Sequence, residues 1–592
     1  MSLQINGVNV AIGPVLAPED KAAGAYDPLN PSTKVITKGH RRTEKSRPFD
    51  SDVTFEKDVP LPMRDGVKIY CDIFRPVTDG KTPAIIIWSP YGKTGNGPHG
   101  LDMIPGRFGV PNDQVSGYEK FEGLDPAVWP ARGYAIVNVD LRGSWDSEGI
   151  VPWLGEQDGK DGYDAIEYIA KLDWCSGKVA TAGNSWLAMS QWHIAAQQPP
   201  HLAAIAPWEG AADFYRDTLC RGGIEYPYDT MWKLLENLMI GRTGAESVIT
   251  MLKKYPLYNE YWEDKRVKLE KIKAPAYILA SYSSSLHTTG SIRAYNELGS
   301  RDKWLRIHAR QEWSDLYSPE SVEDLSKFFD YYLKGINNDW TKTVPVRASI
   351  LGFNKASSDE FGSITQVLYY QRNEKLSESP ITENGSESYN AEFVPKQPEG
   401  DEEEIIFRYK FLKPTWLHGY SHLVLHVAND SHDDIDVFVQ IKKLDSSGKQ
   451  LVNMNVPLDK LIPPANDVSE VHNSCFLKYT GPTGSLRASH AISKVTPKPG
   501  NLTGDWPEYT HETRKPIPAG TITRLEIPIW PTAINFDAGE SLAVKVSGHY
   551  MSYMEFDVLY GTSHKNKGRH TVHFGGKYDS HLVVPLMDPV SQ

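Results

Sequence analysis

The segment Val179-Ala-Thr-Ala-Gly-Asn-Ser185-Trp-Leu-Ala188 constrains this chain more than any other. It predicts a buried strand, a sharp Gly-Asn-Ser turn and a helix running to about Gln197. Such a turn lifts a serine oxygen above the C-terminal edge of a parallel sheet, the geometry of a nucleophile elbow. Gly183 fits because a side chain there would collide with its neighbours. The backbone N–H of Trp186, at the start of the helix, is placed to stabilise an oxyanion. The common pattern has glycine two residues after the serine, and Leu187 stands there instead. Ser185 is the candidate nucleophile.

Around this turn, residues 84–88, 134–140, 203–208, 275–281 and 303–308 read as short buried strands, and 159–172 and 317–333 as helices. Apolar strands alternating with helices predict a mostly parallel sheet covered on both faces. A hairpin signal, Arg64-Asp65-Gly66, lies within 53–76. At 592 residues the chain exceeds one core. The expected organisation is an N-terminal arm (1–50), loosely attached, and an α/β domain (51–210 and 271–343). A helical cap (211–270) interrupts that domain, and an all-β sandwich of jelly-roll type (344–592) follows it. The cap follows a strand's C-terminal end, so it is expected over the elbow, lining a pocket. The β part rests on strands predicted at 404–411, 422–427, 436–442, 523–529 and 542–547.

The balance of 63 basic and 75 acidic residues, net −12, argues against a nucleic-acid partner. No stretch approaches the roughly 18 apolar residues of a membrane helix. The first thirty residues carry neither a basic start nor an apolar run. Cys71, Cys175, Cys220 and Cys475 are scattered, matching no zinc or disulfide pattern. A cytoplasmic protein without metal or membrane attachment is expected. The Asn-x-Ser/Thr matches at Asn384 and Asn501 carry little weight without a secretory leader.

Further motifs carry a resemblance. They are Ser89-Pro-Tyr-Gly92, Asp140-Leu-Arg-Gly143 with Ser147-Glu-Gly149, Trp174-Cys-Ser-Gly177, Gly183-Asn-Ser-Trp186, and Ile205-Ala-Pro-Trp208 with Asp213-Phe-Tyr-Arg216. In the β part they are Asp434-Ile-Asp-Val-Phe-Val439, Gly484-Ser-Leu-Arg-Ala488 and Trp530-Pro-Thr-Ala533. In this order, over roughly residues 53–590, the chain resembles the cocaine esterase and X-Pro dipeptidyl-peptidase (CocE/NonD) family of serine hydrolases. The resemblance implies an α/β-hydrolase core with a helical cap insertion and a C-terminal jelly roll. It also implies cleavage of an ester or amide through an acyl-serine, with no cofactor. Tyr91 stands where the family supplies a phenol as second oxyanion donor, which a tyrosine O–H can do if aimed at the developing charge. Asp140 and Arg142 are expected to form a structural pair beneath the site.

Two members of the family's triad do not carry over. The acid's turn after 275–281 reads Ser281-Tyr-Ser-Ser284, and the base's turn reads Ala309-Arg-Gln-Glu-Trp313. A rebuilt triad would use His287, three residues past Ser284, as base. Glu209, just after 203–208, would hold its tautomer, with Asp213, Glu312 and Asp315 as weaker candidates; triads are defined by spatial roles. His308 is the runner-up base, and His193 is set aside because its helix runs away from the rim. Trp208, Tyr282 and Trp313 are expected to line the pocket. The expected reaction is hydrolysis of a small, largely apolar acyl substrate. The alternatives are a repurposed site doing acyl transfer, cyclisation, lyase or isomerase chemistry on a small carbonyl compound, or a noncatalytic binder. A homodimer through the β part is a further expectation.

Overall fold

The computed structural model describes residues 3–95, 97–353, 358–359, 364–396, 402–495, 506–562 and 564–589. Asn501 lies outside them. The first large sheet contains β1 Ser32–Ile36, β2 Val53–Pro62, β3 Lys68–Pro76, β4 Thr82–Ser89, β5 Ala135–Asp140, β6 Cys175–Asn184, β7 Leu202–Trp208, β8 Ala276–Ser281, β9 Lys303–His308, β10 Val346–Ile350 and β11 Ser358–Asp359. Their spatial order is β11-β10-β9-β8-β7-β6-β4-β5-β3-β2-β1. From β10 to β5 all neighbours are parallel. The flanking strands β1–β3 and β11 are antiparallel.

The parallel strands are buried along nearly their whole length because helices cover both faces, so the apolar run in β4 needs no polar alternation. On one face, α1 (Glu156–Ile169) packs on α2 (Trp186–Ala196). Gly159 and Gly162 permit that approach, since a Cβ there would fall 2.6 Å from the His193 carbonyl oxygen and 2.3 Å from Ile194 Cγ1. Buried Asp158 clamps three elements, accepting from Trp88 Nε1 on β4 (2.7 Å) and Ser190 Oγ on α2 (2.8 Å).

The arm is not loosely attached. β1 extends the sheet edge, and Ile12–Gly13 pairs with Ala245–Glu246 in the cap. Tyr26 Oη donates to Asp146, which also accepts from cap residue Arg242. The polar sequence of this segment hid these backbone pairings, which need no apolar side chains. The cap carries α3 (Tyr228–Glu236), α4 (Val248–Lys254) and α5 (Glu260–Asp264).

The C-terminal half is all β, its sheet closed on itself. Thr415–Asn429 pairs with Thr523–Phe536 on one side and His581–Met587 on the other, completing a ring through the intervening strands. Its interior (Leu423, Leu425, Val437, Ile527, Val544) is continuous with Ile278 and Leu305 of the first sheet, so the two halves share an apolar core. All four cysteines are buried and unpaired. Among the described residues no helix is long and apolar enough to cross a membrane.

Candidate active site

Ser185 links β6 to α2 with φ 55° and ψ −116°, a strained backbone for a residue with a side chain. The strain is held by neighbours. The Ser185 N–H donates to the carbonyls of Trp208 (3.1 Å) and Glu209 (3.0 Å) at the end of β7. Gly183, at φ 127°, is covered by Leu187, whose Cδ2 would lie 2.4 Å from an added Cβ. The residue that departs from the common pattern therefore fills the space that glycine leaves. As the first residue of α2, Trp186 has an N–H with no partner inside the helix, available to a developing negative charge.

His287 immediately precedes α6 (Thr288–Glu297), after β8, and its side chain makes no capping hydrogen bond to the helix. Its loop is stitched by hydroxyls: Thr288 Oγ1 donates to the carbonyls of Ser281 (2.7 Å) and Ser284 (2.9 Å). The helix seats tightly beyond β7, where Gly210 N–H donates to Ser291 Oγ (2.9 Å) and a Cβ on Gly290 would fall 2.5 Å from Ala211 Cα. His287 is 3 % exposed. Its Nδ1 lies 2.9 Å from Ser284 Oγ and 3.5 Å from Glu312 Oε2, and its Nε2 has no partner among the described residues. The hydrogen bond of Nδ1 is to Ser284 Oγ, while Glu312 Oε2 makes no hydrogen bond and acts on the ring through its charge at 3.5 Å. With the proton on Nδ1, Nε2 is the atom that can take another.

Glu312 opens α7 (Glu312–Leu316), a short helix capped by the Gln311 side chain, which accepts from the N–H groups of Trp313 (2.8 Å) and Ser314 (3.1 Å). Burial pushes the Glu312 carboxyl up. The interaction with His287, with help from Glu209 and Ser284, outweighs this and holds it below the ordinary carboxylate value. Glu209 is the opposite case: burial and the nearby Glu312 charge raise its carboxyl, against His308 and His287. Glu209 Oε2 accepts from Ser281 Oγ (2.9 Å), and its Oε1 is 2.9 Å from His308 Nε2 at an angle poor for a hydrogen bond.

The expected pairing of His287 with Glu209 is thus corrected. Glu209 faces His308 and Ser281, and the carboxylate in contact with His287 Nδ1 is Glu312. His287 stands on the loop after β8 and Glu312 just after β9, so the two side chains come from neighbouring loops at the same rim of the sheet. Glu209 still joins the parts, since its carbonyl holds the serine and its carboxylate lies within 4.8 Å of ligand atoms on His287 and Glu312. Among the described residues these three are the group able to share one cation. Two of their polar atoms already have protein partners, in Ser284 and Ser281.

Glu122 was not foreseen. It sits at φ 68° with its carboxyl wholly buried. Its carbonyl accepts from Asn184 N–H (3.0 Å), and its Oε1 from Asn184 Nδ2 (3.0 Å) and Trp313 Nε1 (3.0 Å). Burial and the Glu312 charge push it well above the ordinary value, toward its neutral form. It lies in a long segment without periodicity, so no sequence signal marked it. Tyr91 packs against His99 (ring centroids 4.6 Å), Phe121 (5.6 Å) and Trp186 (6.3 Å). Burial above all, with the nearby Glu312 charge, holds its phenol well above the usual range, so it remains a donor. Trp313 stacks on Phe108 at 4.9 Å.

Other expected residues take structural places. Trp208 is fully buried with the Arg306 guanidinium 5.7 Å over its ring, and Tyr282 belongs to the shared core. His193 is buried on α2, where burial lowers it to about 4. Asp213 binds Arg216 (2.6 Å), and Asp315 binds Arg306. Asp140 and Arg142 do not pair. Asp140 meets Lys120 (3.1 Å), while Arg142, two residues past the end of β5, grips Asp161 with two 2.7 Å bonds.

Comparison with known proteins agrees with this geometry. Residues 65–311 match the X-Pro dipeptidyl-peptidase (S15 family) model, and 338–583 match the X-Pro dipeptidyl-peptidase C-terminal non-catalytic domain. The cocaine esterase of a Rhodococcus species is 33% identical over 168 residues, 28% of this chain and 25% of that protein. A putative serine esterase of Mycobacterium bovis is 30% identical over 202 residues, 33% of this chain and 31% of that one. These alignments span about a quarter to a third of the relatives' length. A solved CocE/NonD family hydrolase from Staphylococcus aureus superposes with a TM-score of 0.80 at 30% identity, covering 95% of this chain and 97% of that one. An α-amino acid ester hydrolase shares the fold at a TM-score of 0.63 and 16% identity. With the elbow, the cap and the closed β half all in place, the chain belongs to the CocE/NonD family of α/β-hydrolases.

Proposed function

We propose that the protein is a serine hydrolase that cleaves an ester or amide through an acyl-Ser185 intermediate, using Glu312 in place of the family's acid. The observation that carries this reading is His287, with Nδ1 toward Glu312 and a buried, unpartnered Nε2. Ser185 Oγ attacks the substrate carbonyl as His287 Nε2 takes its proton, and Glu312 stabilises the imidazolium. The Trp186 N–H and the Tyr91 hydroxyl hold the oxyanion. Collapse expels the alcohol or amine with the proton from His287, and water then releases the acid by the same route. The aromatic surroundings of Tyr91, Phe121, Phe108 and Trp313 suit a small, largely apolar acyl group. Four unpaired, buried thiols suit a reducing, cytoplasmic setting, and the closed β half is read as a jelly roll.

Intact mass after exposure to a serine-directed phosphonate tests the mechanism. One adduct is expected on the parent, none on Ser185→Ala, and strongly slowed labelling on His287→Ala. A folded parent that takes no adduct would falsify the acyl-serine mechanism.

A further inference from the structure

A cavity of about 60 Å³ lies at the seam of the cap, α6 and the β half, outside the catalytic group. Arg221 and Thr289 both line it. Arg221 is 7 % exposed, and its guanidinium is sandwiched between the rings of Tyr228 and Trp530, each 3.9 Å away. Its Nε donates to the Asp217 carbonyl (3.0 Å) and its Nη1 to Tyr228 Oη (2.6 Å). Its Nη2 has no partner among the described residues. The two other arginines on the cavity wall are neutralised, Arg216 by Asp213 (2.6 Å) and Arg293 by Asp217 (2.9 Å) and Glu508 (2.5 Å). Arg221 contacts no carboxylate among the described residues. Glu555, the acid whose field it shares, accepts instead from Ser285 Oγ, and burial pushes that carboxyl toward its neutral form.

Leaving a guanidinium buried without a counter-charge is costly, and so is an unsatisfied donor. A second unpartnered donor belongs to a residue of the same lining: Thr289 Oγ1, on a residue 4 % exposed, also lacks a partner among the described residues. Thr289 stands two residues past His287, so the cavity and the catalytic base share the first turn of α6. The turn that carries Arg221 is pinned, because the Gly222 carbonyl accepts from Arg487 N–H (2.8 Å) and the Arg221 carbonyl from Ser485 Oγ (3.3 Å). A stacked, planar fork with a free N–H, and an unpartnered hydroxyl on the same cavity wall, is the chemistry that recognises a carboxylate. The volume suits such a group and falls far short of a whole drug-sized ligand.

We infer that Arg221 and Thr289 form a carboxylate subsite, and that the carboxylate belongs to the substrate, on a part remote from the bond cleaved. The second clause rests on the Ser185 reading; the first does not. Calorimetric titration of glutarate into Ser185→Ala protein is expected to show one site, with no binding of glutaramide. Adding Arg221→Met is expected to weaken glutarate at least tenfold, and Thr289→Val by a smaller factor. Circular dichroism checks folding, and Thr289→Val carries the test if Arg221→Met does not fold. Absence of glutarate binding to Ser185→Ala, or equal binding by both folded variants, overturns the subsite. In the active protein, glutarate is expected to compete with a neutral 4-nitrophenyl ester. A change in kcat without competition would overturn the substrate assignment and mark a separate effector. A neutral ester left uncleaved would sink the Ser185 reading, while the titration would still decide the cavity.

Discussion

A single carbon atom decides whether the turn at Ser185 can be built. Gly183→Ala would place Cβ 2.4 Å from Leu187 Cδ2 and 3.1 Å from the Glu122 carbonyl, at a φ of 127° that side chains rarely adopt. A loss of about 3 kcal/mol is expected, since strain and overpacking add. Leu187→Ala in the same chain should recover part of it, which urea unfolding can measure; no recovery would mean that Leu187 is not what occupies the space. The two glutamates separate by charge. Glu312 is held ionised and faces His287, so Glu312→Gln should cut kcat by about 10³ to 10⁴, the scale of a triad acid. Glu209 is pushed toward its neutral form, so Glu209→Gln should stay within about tenfold of the parent. Kinetics on one neutral ester decides between them, and the reverse order would return the acid's role to Glu209.

Strand β3 carries a buried ionisable group, Asp72. Asp72 is fully buried, accepts from Asp58 N–H (2.8 Å), and is pushed by burial, against Lys93, to about 7. The unfolded chain gives up this proton near pH 4, whereas the folded chain keeps it to about 7. Stability from this group is full below pH 4 and is lost as pH rises through 7. Asp72→Asn should therefore gain on the parent between pH 4 and 7.5 by a few kcal/mol at most, read from urea midpoints. A difference that does not change with pH would show Asp72 ionised in the native state. Strands such as β3 were legible because buried parallel and hairpin strands have distinctive apolar runs: β9 matches its predicted bounds, β4, β5, β7 and β8 lie within one or two residues of theirs, and β6 begins four residues before the expected Val179. The site was legible only where local chemistry marks it. The Gly183–Ser185 turn announces itself, and His287 stood out as a histidine beside a missing acid. The partnership of His287 with Glu312 depends on two loops meeting over β8 and β9, which adjacency in the chain does not encode. Glu122 is placed by a left-handed backbone that no residue pattern signals.

Across the molecule, the cap is pressed onto the β half at a point with no slack. A Cβ on Gly222 would lie 2.0 Å from the Ser485 carbonyl oxygen, and Arg487, held on its own side by Asp436 (2.7 Å), spans the same seam to Glu225 (3.2 Å). Gly222→Ala should lower the melting temperature by several degrees. It should also impair glutarate binding more than phosphonate labelling, because the seam carries Arg221 and not Ser185. Equal losses would show that the seam supports both. The buried sulfurs make this order of events observable. Cys71 and Cys175 lie in β3 and β6, Cys220 in the cap, and Cys475 in the β half beside Ser285. Burial pushes the Cys220 thiol up to about 11 and holds the Cys71 and Cys475 thiols well above the ordinary thiol value, so the native protein should be silent to a thiol reagent. Each sulfur then keeps time for its own region. Under rising denaturant, the sequence in which the four become alkylated, read by peptide mass, gives the order in which cap, sheet and ring let go.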